Sequence, residues 1–147
     1  MTTKILDSHL KLDETKIAVA QMQLKEDIPS EYKKFLLENN GGYPDPESFN
    51  LSLADGQKHF TIVERFLAIA PNTNDDLVKN FILYKLERPE NLFPIAYDPE
   101  LNEICIGTKG ERKDKIYYWD RILHIGQNTD NVYLLASCFQ DFLSKLS

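Results

Sequence analysis

The run Ile28-Pro29-Ser30-Glu31-Tyr32-Lys33-Lys34-Phe35-Leu36-Leu37-Glu38-Asn39-Asn40-Gly41-Gly42 spells out a helix together with its own start and stop. Pro29 suits the first helical position, where no intrahelical N–H bond is lost, and Tyr32, Phe35 and Leu36 recur at three and four residues on one face. Such a face requires cover from other elements. Gly41 or Gly42 can take the positive φ of a left-handed cap, and Pro44 stops the helix from resuming. Any architecture for this chain must therefore supply an apolar surface for this helix and a sharp change of direction after it. No reactive chemistry is written in the run itself.

Periodicity extends this reading along the chain. Asp13 or Thr15 can cap an earlier helix through about Leu24, with Ile17, Ala20 and Leu24 as its stripe. Phe49-Asn50-Leu51-Ser52-Leu53 alternates with period two, and Asp55-Gly56 is a turn signal before a second extended run from Phe60 to Ile69, which together predict a hairpin. Pro71 to Asp76 combines turn residues, an N-cap and carboxylates that a helix dipole favours, so Leu77, Phe81 and Tyr84 continue as an amphipathic helix ending before Pro89. From Leu92 to Trp119 the pattern is a three-stranded meander with turns near Pro99–Asn102 and Lys109-Gly110. Val132, Leu135, Ala136, Phe139, Phe142, Leu143 and Leu146 repeat at three and four, which predicts a long closing helix over 132–146 capped by Asp130 or Asn131.

The expected fold is α+β. It is a single domain over 1–147, with a largely antiparallel twisted sheet of about five to six strands and flanking N-terminal, central and C-terminal helices. At 147 residues one domain buries roughly 68–70% of the surface its unfolded chain exposes. Hydrophobic residues at 42% and charged ones at 27% mark a globular chain, and no apolar run approaches the ~20 residues of a membrane span. The first residues lack the apolar core of a secretion signal, so the cytoplasm is the expected compartment. Cys105 and Cys138 each sit among apolar neighbours without a CxxC partner, which predicts buried thiols in a reducing compartment.

Chemistry is sparse. His9, His59 and His124 form no HxH or HExxH arrangement, so no metal site is expected. Asp98 to Glu103 alternates oxygen ligands, but Glu103 stands where an EF-hand loop needs glycine and Lys109 where it needs glutamate. The G-x-S-x-G, P-loop and G-x-G-x-x-G patterns are lacking, and no catalytic residue or cofactor is assigned. The four basic residues of Lys109–Lys115 are interrupted by Glu111 and Asp114, which reads as a solvated turn. A net charge of −6 and a pI near 5.1 argue against nucleic acid, whose phosphates require clustered Lys and Arg.

The distribution of acid is more informative. Asp45 to Asp55 holds three acidic residues and no basic one, and Glu90 to Glu103 holds four and none. Both tracts flank predicted strands. Asp45, Glu47, Asp75, Asp76, Asp98, Glu100 and Glu103 are therefore the candidates for a negative face that attracts a positively charged protein, with encounter accelerated at low salt. Tyr117 and Trp119 alternate on one strand face, either as core or as aromatic anchors for a partner.

Four stretches also carry a family resemblance. The 28–42 run is similar to the opening signature of the SUKH superfamily, which includes fungal Smi/Knr cell-wall assembly regulators and bacterial immunity proteins against polymorphic toxins. Leu92–Asp98 with Ile104–Ile106 resembles its paired central strands, Ile116–Asp120 the strand after them, and Ala136–Leu146 its closing helix. The matches run in order across residues 12 to 146. Pro99–Asn102 replaces a turn where relatives often carry glycine, and Arg121-Ile122 replaces a polar pair. The resemblance implies a non-enzymatic protein that occludes a cognate toxin domain, and the acidic charge of the chain makes a basic nuclease a suitable target. The alternative it implies is a regulatory or scaffold domain related to the cell-wall regulators.

Overall fold

The computed structural model describes residues 3–53, 55–122 and 130–147. Its order is β1 (Lys4–Leu6), α1 (Glu14–Leu24), α2 (Ser30–Glu38), β2 (Tyr43–Asp45), β3 (Ser48–Ser52), β4 (Lys58–Ile62), β5 (Arg65–Phe66), α3 (Leu77–Leu83), β6 (Leu92–Tyr97), β7 (Glu103–Gly107), β8 (Ile116–Trp119), β9 (Val132–Ala136) and α4 (Phe139–Ser144). Strands β5-β6-β7-β8-β9 form an antiparallel five-stranded sheet in chain order, and β1-β2 and β3-β4 form two-stranded antiparallel pairs. This is the α+β architecture that the alternating patterns predict. The meander and the first three helices fall where periodicity puts them, and so does the hairpin, except that its second strand stops at Ile62 and Arg65–Phe66 pairs with β6 instead.

Strand alternation gives the sheet two unequal faces. Phe93, Ile95, Ile104, Ile106, Ile116 and Tyr118 enter the main core, while Leu92, Cys105, Trp119 and Val132 form a smaller cluster on the reverse face with Tyr84 and Tyr117. The main core is covered by Ile17 and Leu24 of α1, Tyr32, Phe35 and Leu36 of α2, Leu77 and Phe81 of α3, Phe49 and Leu51 of the hairpin, and Phe139 and Phe142 of α4. Tyr32 and Phe35 meet Phe139 edge-on at ring separations of 5.8 and 5.1 Å, and Phe35 lies 5.0 Å from Phe66. The Tyr32 hydroxyl donates to the Leu67 carbonyl, with the Ile95 carbonyl also at 3.0 Å, so the helix is bonded to the sheet as well as packed on it.

Two predicted details change. The 132–146 stretch is not one helix: Val132–Ala136 is a strand, and only Phe139–Ser144 is helical. The outer edge of β8 presents unpaired N–H and C=O groups, and β9 satisfies them with Trp119 opposite Val132, Tyr118 opposite Tyr133 and Tyr117 opposite Leu134. A helix there would leave that edge open, and a three-and-four spacing of apolar residues does not record the difference. Asp130 does not cap a helix but accepts from the Val132 N–H at 3.1 Å, and the N-cap of α4 is Cys138, whose Sγ accepts from the Asp141 N–H at 3.4 Å. Cys105 is buried as expected, Cys138 is half-buried, and both are free thiols.

The second change concerns the glycines. Helix α2 ends at Glu38 with Asn39 already extended at φ −144°, so it has no left-handed cap, and Pro29 stands just before the first helical residue. Gly41 (φ +73°) and Gly42 (φ +102°) serve close backbone packing instead. A Cβ on Gly41 would stand 2.6 Å from the Ala68 Cβ, and one on Gly42 would stand 2.4 Å from the Leu6 carbonyl oxygen. Gly42 also accepts from the Phe66 N–H at 2.7 Å, which ties β2 to β5. Beside them, buried Asn40 donates to the carbonyls of Leu10 and Ile69 at 2.9 and 3.0 Å and accepts from the Ile69 N–H at 2.9 Å.

Gly41→Ala therefore combines a strained φ with a backbone-level clash. We expect a loss of about 2–4 kcal/mol, read as a lower urea midpoint with an unchanged slope.

Candidate functional site

The hairpin brings separate stretches of sequence to one edge of the molecule. The Val63 N–H donates to the Glu47 carbonyl at 2.9 Å, the Glu64 N–H donates to the Tyr97 carbonyl at 2.9 Å, and the Thr61 hydroxyl donates to Asp98 at 3.3 Å. Glu47, Glu64 and the turn carrying Glu100 thus lie on neighbouring backbone segments. Asp45 stands two residues before Glu47 on β2, opposite Lys4. All four carboxylates are exposed, and among the described residues none of the four is held in an ion pair. Tyr43, Pro44, Asp45, Pro46 and Glu47, with Leu6 and Ser48, line a cleft of about 440 Å³ on this edge. Arg65 beside it is engaged by Asp7 at 2.9 Å on the surface and by buried Asp75 at 3.2 Å. Four exposed carboxylates set against Lys4, with Arg65 engaged by Asp7 and Asp75, leave an excess of negative charge on this edge.

The other predicted acidic residues are corrected by burial. Asp98 is fully enclosed in the β6–β7 turn, where it accepts from the N–H groups of Glu100 at 3.0 Å and Asn102 at 2.9 Å and from the Tyr118 hydroxyl at 2.5 Å. Glu103 is buried against Arg88, with contacts of 2.7 and 3.0 Å, and Arg88 also donates to the carbonyls of Phe81 and Asn80 at the end of α3. Asp76 caps α3 by accepting from the Lys79 N–H at 3.1 Å and also accepts from the Ala70 N–H at 3.0 Å. Asp75 joins His9 at 2.8 Å and Arg65 at 3.2 Å, fastening the segment after β1 to the β5–α3 loop. A buried carboxylate survives only with such partners, so these four hold the fold and leave the solvent-facing surface to Asp45, Glu47 and Glu100.

Glu64 is the residue that sequence reasoning missed. It sits alone between Val63 and Arg65, outside both acidic tracts, and only the pairing of its N–H with Tyr97 brings it to the rim. The aromatic candidates also separate. Trp119 is buried in the reverse-face cluster, whereas Tyr117 is half-buried beneath the Arg112 guanidinium at 5.5 Å, which is itself paired with Asp130 at 2.7 Å. Neither stands free as an anchor.

The titratable groups follow from these contacts. Burial pushes the Asp75 carboxyl upward, but hydrogen bonds from His9 and Thr73 and the His9 charge outweigh it, leaving its pKa below the usual carboxylate value. Burial raises Glu103 more than Arg88 lowers it, and burial raises the Cys105 thiol well above its ordinary value. A thiol held protonated in an apolar cluster is inert as a nucleophile. Among the described residues no group of three His, Cys, Asp or Glu side chains could hold a metal ion, and no helix is long and apolar enough to cross a membrane. His124 lies outside the described residues.

Fold and surface together define an α+β domain whose buried polar groups brace the structure and whose acidic rim is open to solvent. The chain belongs to the SMI1/KNR4 family (SUKH-1), whose model matches residues 11–145. It is similar to the SPbeta prophage-derived uncharacterized protein YokK of Bacillus subtilis (strain 168), with 26% identity over 140 residues covering 86% of this chain and 70% of that protein.

Two measurements check this assignment of roles. Glu103→Gln leaves Arg88 buried without its counter-charge and should cost about 3–5 kcal/mol, whereas Arg88→Met with Glu103→Leu should cost much less, both read by urea unfolding. The native pKa of Asp75 lies below its unfolded value, so its contribution is complete above the unfolded value and is lost as pH falls through the native one. Asp75→Asn should lower stability at neutral pH and flatten its decline below about pH 4, measured by thermal melts across pH.

Proposed function

We propose that this chain is an immunity-type protein that binds a cognate polymorphic toxin in the cytoplasm and neutralises it by occlusion, performing no reaction of its own. The observation that carries the reading is the convergence of exposed Asp45, Glu47, Glu64 and Glu100 on one edge. Family membership supports a role in binding proteins, and the resemblance to a prophage-derived protein fits a chain carried with mobile, competitive genes. Occlusion requires only a complementary surface over the target's working groups. A carboxylate rim complements the cationic surface with which a nuclease holds its own phosphate substrate, so a basic nuclease domain is the favoured target. The aromatic members of the original candidate set, Tyr117 and Trp119, act in this reading as support for the sheet.

The test is co-expression with the product of the neighbouring gene, scored as rescue from growth arrest and as association kinetics of the purified pair. The triple reversal Asp45→Lys, Glu47→Lys and Glu100→Lys should slow association at least about tenfold at low salt, and raised salt should narrow the gap. Glu103→Lys is excluded from the set because it would disturb the fold. Tight binding indifferent to both salt and the triple reversal would refute the rim, and failure to rescue growth would refute neutralisation.

A further inference from the structure

The hairpin that adjoins the acidic rim has an open strand edge. The Leu53 N–H donates to the Gln57 carbonyl at 2.8 Å and the Val63 N–H to the Glu47 carbonyl at 2.9 Å, and these two bonds bracket the β3–β4 ladder. In an antiparallel ladder the pairs that exchange main-chain bonds alternate with pairs that do not, so Phe49–Thr61 and Leu51–His59 carry the bonds inside the hairpin. The N–H and C=O groups of Lys58, Phe60 and Ile62 therefore point away from β3, to the outer edge of β4. Among the described residues β4 has β3 as its one strand neighbour, and no main-chain bond reaches Lys58, Phe60 or Ile62 from another element.

Side chains alternate along the same strand. His59 lies 6.4 Å from the Tyr118 ring and Thr61 bonds Asp98, so these two face inward. Lys58, Phe60 and Ile62 share the outward face with their cross-strand neighbours Ser52, Asn50 and Ser48. Phe60 is 69% exposed at the centre of this face, opposite exposed Asn50, which is too small to cover it. An aromatic ring in water beside open main-chain donors and acceptors is a combination that edge strands ordinarily avoid. The charges of the hairpin are graded. From Glu47 to Glu64 it holds three carboxylates, Glu47, Asp55 and Glu64, and one lysine, Lys58. Lys58 stands at the turn end with Asp55 nearby, whereas Glu47 and Glu64 flank the other end, where the hairpin meets the rim.

We propose that β4 receives an extended segment of the partner protein as an added strand, with Phe60 as its central side-chain contact and a Lys or Arg of that segment set over Glu47 and Glu64. The inference rests on the toxin-binding reading and states how that partner is held. A partner residue opposite Phe60 in an antiparallel pairing would exchange both main-chain bonds with it, at a Cα separation of about 5.5 Å, and its side chain would fall on the same face as the ring. Main-chain bonds then supply affinity, while contact with Phe60 and the charge at the rim end select the segment. The two parts of the surface act at different stages. The rim carboxylates draw a cationic partner in, and strand addition slows its release.

Amide hydrogen exchange of the full chain, read by NMR alone and with the purified product of the neighbouring gene, tests the added strand without any substitution. The Lys58, Phe60 and Ile62 amides should exchange freely in the protein alone and slow at least about a hundredfold in the complex, whereas the Leu51 and Thr61 amides, bonded within the hairpin, should be protected in both. Phe60→Ala should speed dissociation at least about tenfold and leave the association rate within about threefold of the parent, the reverse of the pattern expected for the rim reversals. Its urea midpoint should stay near the parent's, because the ring lies mostly in water. A complex that forms and rescues growth while the Lys58, Phe60 and Ile62 amides still exchange freely, or that dissociates no faster with Phe60→Ala, would overturn strand addition and leave the rim standing. Absence of any complex would overturn both.

Discussion

The seating of α2 on the sheet is the contact on which the rest of the structure depends. Tyr32 is completely buried, yet its hydroxyl is satisfied by main-chain carbonyls of the β5–α3 segment and of β6. The same ring packs edge-on against Phe139 of α4 and, through Phe35, joins Phe66 of β5. Aromatic pairs of this kind contribute about 0.5–1.5 kcal/mol each beyond area burial, and leaving the buried hydroxyl without a partner would cost about 1–3 kcal/mol. One side chain thus links four elements that are far apart in sequence. Burial raises its pKa well above the usual phenol value, which keeps it a donor at any physiological pH.

Around this seat the chain uses its polar residues in two ways. Asp98, Glu103, Asp75 and Asp76 are placed where backbone donors or cations meet them: inside a turn, between α3 and β7, and at the start of α3. Each converts a charge that burial would penalise into a fastening. Asp45, Glu47, Glu64 and Glu100 keep their hydration and share one edge, where their repulsion is tolerated because water screens it. Only the exposed set projects its charge into solvent, because burial and pairing neutralise the other four.

Much of the architecture was legible because local periodicity and burial agree. Asp13 caps α1, Asp76 caps α3, Asp55-Gly56 turns the hairpin, and the meander between Leu92 and Trp119 has its turns at the residues that favour them. Val132–Leu146 misled for a definite reason. Val132, Ala136 and Phe139 fit a helical stripe, but the vacant edge of β8 rewards an extended chain at 132–136, and that edge comes from residues 116–119. Of the candidate acidic face, Asp45, Glu47 and Glu100 were readable as charge without neighbouring cations. The burial of Asp98 and Glu103 was not, since an acidic residue beside a strand looks alike in sequence whether it faces water or arginine.

The amino-acid order by itself determined the class of fold, the positions of α1, α2 and α3, the hairpin, the meander and the surplus of negative charge, because each depends on contacts within a few residues or on a sum over the chain. Tertiary structure alone decided that Gly41 and Gly42 admit a neighbouring strand instead of ending a helix, that β9 completes the sheet, that four of seven candidate carboxylates are enclosed, and that Glu64 joins those left outside. These outcomes turn on which distant backbone lies within a few ångströms, and hydrogen-bond geometry and dielectric environment act over that distance without regard to separation along the chain.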